Sequence, residues 1–139
     1  MRFRVVTGNT ARNPVARAIA RQKVHDILLT TKLRVYTLED GVDDSKFMHG
    51  VLKSLVTVAR AIELGRQRGY HQLTRDETRD FNVLRGGVSA LEQNLTCWNS
   101  ANAVAIEAAV DACERLNKIA RTDCIADAAE EFGVTITNR

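Results

Sequence analysis

The chain has 139 residues, close to the commonest domain size; 45% of it is apolar and 27% charged, which favours one folded domain over a disordered segment. Aromatic residues make up only 5%, arguing against a β-sandwich and against a stacking platform for single-stranded nucleic acid. The net charge of +3 conceals a gradient. Residues 1–34 hold eight basic groups against Asp26, a local +7, whereas residues 86–139 hold eight acids against four bases, a local −4.

Residues 1–12 are basic, polar and partly alternating, and read as an arm or a short edge strand. Their apolar run is too short for a signal peptide, and no later window approaches the ~18 apolar residues of a membrane span. Asn13-Pro14 supplies a helix start, with Asn as cap and Pro at the first helical position, where its missing N–H costs nothing. The pattern then runs unbroken to Asp40, with Gly41 as a left-handed stop. Asp43 or Asp44 caps a second helix reaching the 65–69 region. Thr74-Arg75-Asp76-Glu77 is a capping box that opens a third helix extending to about Trp98. Asn99-Ser100-Ala101-Asn102 reads as a break or kink before a fourth, alanine-rich helix to about Arg121. A short fifth helix spans Asp123 to Phe132, Gly133 stops it, and residues 133–139 form an extended tail. The expected fold is therefore an all-α single domain, a bundle of four longer helices and a short C-terminal one, with short extended segments at the termini.

The helix faces differ. Phe47, Val51, Leu52, Leu55, Val58, Ala59 and Ile62 form one stripe on the second helix, and Phe81, Leu84, Val88, Leu91 and Leu95 form one on the third. On the fourth, Ile106, Ala109, Cys113, Leu116 and Ala120 make a stripe of mostly small residues suited to close approach. The first helix is apolar on two sides. Ala20, Val24, Ile27, Leu28, Val35 and Leu38 make one face; Val15, Ile19, Leu29 and Leu33 make the other. Either that helix is central in the fold, or its second face is an oligomer or partner surface, most simply a homodimer.

Chemistry-bearing motifs are scarce. His25, His49 and His71 stand 24 and 22 residues apart without the local spacing that zinc requires, and read as solvent-facing. Asp43-Asp44, Asp76-Glu77 with Asp80, and Glu130-Glu131 fall at helix starts or in a polar helix, where acids serve the macrodipole and solubility. No GxSxG, Walker loop or GxGxxG is present, so neither a catalytic centre nor a cofactor is expected. Arg85-Gly86-Gly87 reads as a kink or a close approach of another helix. Residues 125–135 resemble the first helix and turn of a helix-turn-helix, but no recognition helix follows, and four acids would repel phosphate. Cys97, Cys113 and Cys124 fit neither a disulfide framework nor a CxxC motif; Cys97 and Cys113 fall on apolar helix faces, and a reducing, cytoplasmic setting is expected.

The candidate binding surface is basic: Arg17, Arg21 and Lys32 toward one side of the first helix, with Arg2, Arg4 and Arg12 on the lead before it. These groups either contact a partner or bridge to the acidic C-terminal half. Asn13-Pro14-Val15-Ala16-Arg17-Ala18, Leu38-Glu39-Asp40-Gly41 and Leu84-Arg85-Gly86-Gly87-Val88-Ser89-Ala90-Leu91 together resemble small helical accessory proteins of temperate phages and prophages of proteobacteria. The resemblance spans residues 13–98 and implies a non-enzymatic protein that binds and blocks a host protein or defence complex. The alternative is a basic nucleic-acid-binding accessory protein; under the first reading, nucleic-acid affinity is weak and non-specific.

Overall fold

The computed structural model describes residues 14–41, 43–93, 95 and 97–132, with the backbone alone at residues 14, 16 and 17. The arm expected over residues 1–12 and the tail expected over 133–139 lie outside the described residues. Five α-helices and one 3-10 turn are present, with no strand among the described residues. The all-α expectation holds, with four longer helices and a short one at the C-terminal end.

Helix α1 (Pro14–Arg34) begins at the proline but stops six residues before Asp40. Val35, Tyr36 and Thr37 are β-branched or aromatic and lose side-chain freedom in a helix. Thr37 offers an alternative, since its N–H and its hydroxyl both donate to the Arg34 carbonyl at 2.8 Å. Gly41 does adopt the left-handed conformation, with φ +84°, but it serves a connection rather than a helix end. Its N–H donates to the Trp98 carbonyl at 2.9 Å, and beside it the Ser100 N–H donates to Asp40 Oδ1 at 2.6 Å. The two long connections are thereby pinned together.

Helix α2 (Ser45–Gln67) buries Met48, Val51, Leu55, Val58 and Ile62, while Phe47, Leu52 and Ala59 pack at the edge of the core. It closes with Gly69 at φ +76°, where the N–H groups of Gly69 and Tyr70 donate to the carbonyls of Arg66 and Gly65. Helix α3 (Arg75–Glu92) opens on the expected capping box: Glu77 N–H donates to Thr74 Oγ1 at 3.1 Å, and Thr74 N–H to Glu77 Oε1 at 2.9 Å. It ends before the expected Trp98, because the chain must leave the helix for that indole to enter the core, where it is 2% exposed. Cys97, expected on an apolar helix face, is consequently exposed past the helix end.

A 3-10 turn (Ser100–Asn102) stands at the expected break, with Asn99 Oδ1 accepting from the Ala101 N–H at 2.9 Å. Helix α4 (Ala103–Ile119) buries Ile106, Ala109, Cys113 and Leu116, with Ala120 buried just past its end. Helix α5 (Thr122–Glu131) buries Cys124, Ile125, Ala126, Ala128 and Ala129. Helices α3 and α4 form the most extensive pair, α5 packs against α2 and α1, and α1 also lies along α4. Side chains from all five helices meet in one core. Gly86 and Gly87 interrupt nothing: a side chain at Gly87 would collide with Cβ of Ala109, so the pair marks close approach of α4, not a kink.

Candidate functional site

The basic residues singled out from the sequence are largely occupied inside the molecule. Arg2, Arg4 and Arg12 lie outside the described residues, and of Arg17 only the backbone is described. Arg21 donates through Nη2 to the Ala120 carbonyl, which places a cation at the C-terminal end of α4, the negative end of its dipole. Burial lowers the Arg21 pKa from its usual value, and its Nε has no hydrogen-bond partner. Lys32 Nζ lies 2.8 Å from Asp111 Oδ1, and this hydrogen bond, reinforced by the charge of Asp111, raises the ammonium pKa.

That pair belongs to a longer seam. Glu107, Asp111 and Glu114 repeat at i, i+4 and i+7 on one side of α4, a spacing that lines them up. Facing them, Tyr36 donates its hydroxyl to Glu107 Oε1 at 2.9 Å, Lys32 meets Asp111, and His25 Nδ1 lies 2.7 Å from Glu114 Oε2. The hydrogen bond to Glu107 raises the Tyr36 pKa, with desolvation and the negative charge of that carboxylate adding to it. Further ion pairs tie α2 to α5, namely Arg60 with Glu131 at 3.1 Å and Arg68 with Asp127 at 2.9 Å. The charge gradient of the sequence is thus partly spent within the chain, basic α1 against acidic α4.

The second face of α1 is largely left open by the other described residues. Val15, Leu29 and Leu33 are 58%, 49% and 73% exposed, whereas Ala20, Val24 and Leu28 on the first face are fully buried. Among the described residues, α1 buries one face and leaves Leu29 and Leu33 on the other exposed. The exposed face is not one continuous patch, however. Ile19 is half-buried, and Gln22 and Asp26 fall on the same helical line, with Gln22 Nε2 donating to Asp26 Oδ1 at 2.8 Å. About 15 Å of helix with polar groups along it separates Ile19 from Leu29. What remains apolar is the C-terminal end: Leu29, Leu33 and Tyr36, with exposed Val104 one turn before Glu107 on α4.

The remaining candidates carry little chemistry. Among the described residues no three His, Cys, Asp or Glu side chains gather as a metal ion would require. Burial raises the thiol pKa values of Cys113 and Cys124. His49 Nδ1 stays on its own helix, 2.7 Å from the Ser45 carbonyl oxygen. His71, expected in solvent, instead lays its ring against Gly65 with Nε2 shielded and without a hydrogen-bond partner. Glu130, expected as a solvating acid, has both carboxylate oxygens shielded and no partner among the described residues. Nothing in the sequence around either residue signals this, since each depends on which helix lies opposite. No described helix is long and apolar enough to cross a membrane. No family model matches the sequence, and no curated protein or solved structure matches it either.

Proposed function

We propose that the chain is a non-enzymatic binding module that docks on another protein through the outer, C-terminal end of α1. The observation that carries this reading is the exposure of Leu29 and Leu33 on a helix whose opposite face is buried, with exposed Tyr36 just past its end. Large apolar side chains scattered singly over a surface mean little; a cluster on one helix end is a site for a partner's pocket. The partner is a protein with an apolar pocket, tolerant of the Lys32–Asp111 pair at the rim. The resemblance over residues 13–98 narrows the proposal to a phage accessory protein that blocks a host factor or defence complex. A homodimer through the same end is the second outcome, disfavoured by the Gln22–Asp26 interruption, because a stable dimer buries about 800 Å² per partner. The nucleic-acid reading loses support from the internal engagement of Arg21 and Lys32.

The test compares the wild type with Leu29→Glu/Leu33→Glu. Both positions are exposed, so the double variant should keep the helical circular dichroism and thermal midpoint of the wild type. Immobilised wild type should capture a defined protein from cells in which the chain naturally occurs, and the variant should lose it. Capture that is identical with both proteins contradicts the proposal. Concentration-dependent sedimentation of the wild type, abolished in the variant, assigns the face to a second copy instead.

A further inference from the structure

A cleft of about 820 Å³ opens between the last turns of α2, the α2–α3 connection and the first turns of α3. Arg66 lines its wall from α2 and Arg85 from α3, with Asn82, Gln72, Phe81 and His71 among the other lining residues. Many other arginines find carboxylates, among them Arg34 with Asp44, Arg60 with Glu131, Arg68 with Asp127, Arg115 with Asp80 and Arg121 with Asp123, although Arg21 and Arg75 form no ion pair among the described residues. Arg66 and Arg85 form no such ion pair among the described residues. Glu63, the one acid on the wall, bridges neither of them. Arg85 instead lies 5.8 Å over the Phe81 ring.

The His71 side of the cleft is shaped by a glycine. A Cβ at Gly65 would stand 2.6 Å from His71 Cε1, so the absent side chain is what lets the imidazole lie against α2. His71 Nε2 is shielded from solvent and has no hydrogen-bond partner among the described residues. The volume falls in the ~300–1,000 Å³ range of small-molecule sites. Two guanidinium forks from facing helices suit phosphate oxygens, which accept paired N–H groups better than a point charge does. Phe81 is itself buried in the core beneath Arg85, so the exposed carboxamides of Gln72 and Asn82 are what suit a hydrogen-bonding organic group.

We propose that the α2–α3 cleft binds a small phosphate-bearing metabolite of mononucleotide size, with Arg66 and Arg85 holding the phosphate and the exposed carboxamides of Gln72 and Asn82 meeting the organic part. The inference is independent of protein docking, which uses the far end of α1. Its test is calorimetric titration of the whole chain with AMP, inorganic phosphate and adenosine. AMP should bind tightest, inorganic phosphate more weakly, and adenosine weakest, since only AMP offers both chemistries. Arg66→Gln and Arg85→Gln should each weaken AMP about tenfold or more, the double variant should abolish binding, and all should melt with the wild type. Arg75→Gln, on α3 but off the cleft wall, is the control and should bind AMP unchanged. Absence of AMP binding at about millimolar concentration, or AMP affinity unchanged in the double variant, overturns the proposal. Inorganic phosphate binding as tightly as AMP overturns the assignment of the organic group.

Discussion

A methyl group added at Gly87 would overlap Cβ of Ala109, whereas one added at Gly86 would meet nothing within 4 Å. Both glycines are helical, so both carry the same backbone penalty relative to alanine. Gly87→Ala should therefore destabilise by about 1–3 kcal/mol through overpacking of α3 on α4. Gly86→Ala should stabilise by up to about 1 kcal/mol through helix propensity. Urea denaturation of the two single variants measures the difference directly. The orientation is legible in the sequence, because position 87 lies three residues after Leu84 and four before Leu91, inside the apolar stripe. The resting place of the His71 ring is not legible, since nothing local says that Gly65 lies across from it.

At the scale of the helices, starts were easier to read than stops. The Thr74–Glu77 box and Pro14 are local devices whose partners lie within a turn, and each helix begins where they stand. Thr74→Ala should cost about 1 kcal/mol, measured as a lowered urea midpoint with unchanged slope. The stop of α1 is local, set by Val35, Tyr36 and the Thr37 cap on Arg34, whereas that of α3 depends on the burial of Trp98, which propensity does not report. The charged seam was half legible: the sequence shows a basic and an acidic end, but pairing Lys32 with Asp111 requires knowing that α1 lies along α4. Between α3 and α4 the Arg115 guanidinium donates twice to Asp80, at 2.9 and 2.8 Å, and holds its carboxyl below the usual value of 3.8. A carboxyl depressed in the folded state adds stability above its unfolded pKa and loses it as pH falls through the folded value. The stability due to Asp80 should thus be intact at neutral pH and vanish below 3.8. Asp80→Asn should lower the urea midpoint at about pH 6 and leave it nearly unchanged at about pH 2.

For the whole molecule, α1 divides its surface: one face builds the core, Arg21 and Lys32 latch onto α4, and Leu29 and Leu33 stay exposed, the end proposed to meet a partner. With Arg21 and Lys32 already engaged, affinity for nucleic acid should be at best micromolar and indifferent to sequence. It should disappear between about 50 and 200 mM salt, as counterion release requires of a few phosphate contacts. Fluorescence anisotropy with duplex and single-stranded DNA and RNA measures this. The two-faced pattern of α1 is legible in the sequence, but its apolar residues alone do not show the break in the outer face, where Gln22 and Asp26 occupy the same line. The most direct measurement is photo-crosslinking in cells from a benzoylphenylalanine placed at position 33, compared with one placed at position 75 on the exposed start of α3. A protein-docking module predicts a discrete protein adduct from position 33 and none from position 75. Adducts to nucleic acid, equal adducts from both positions, or none from position 33 would contradict it.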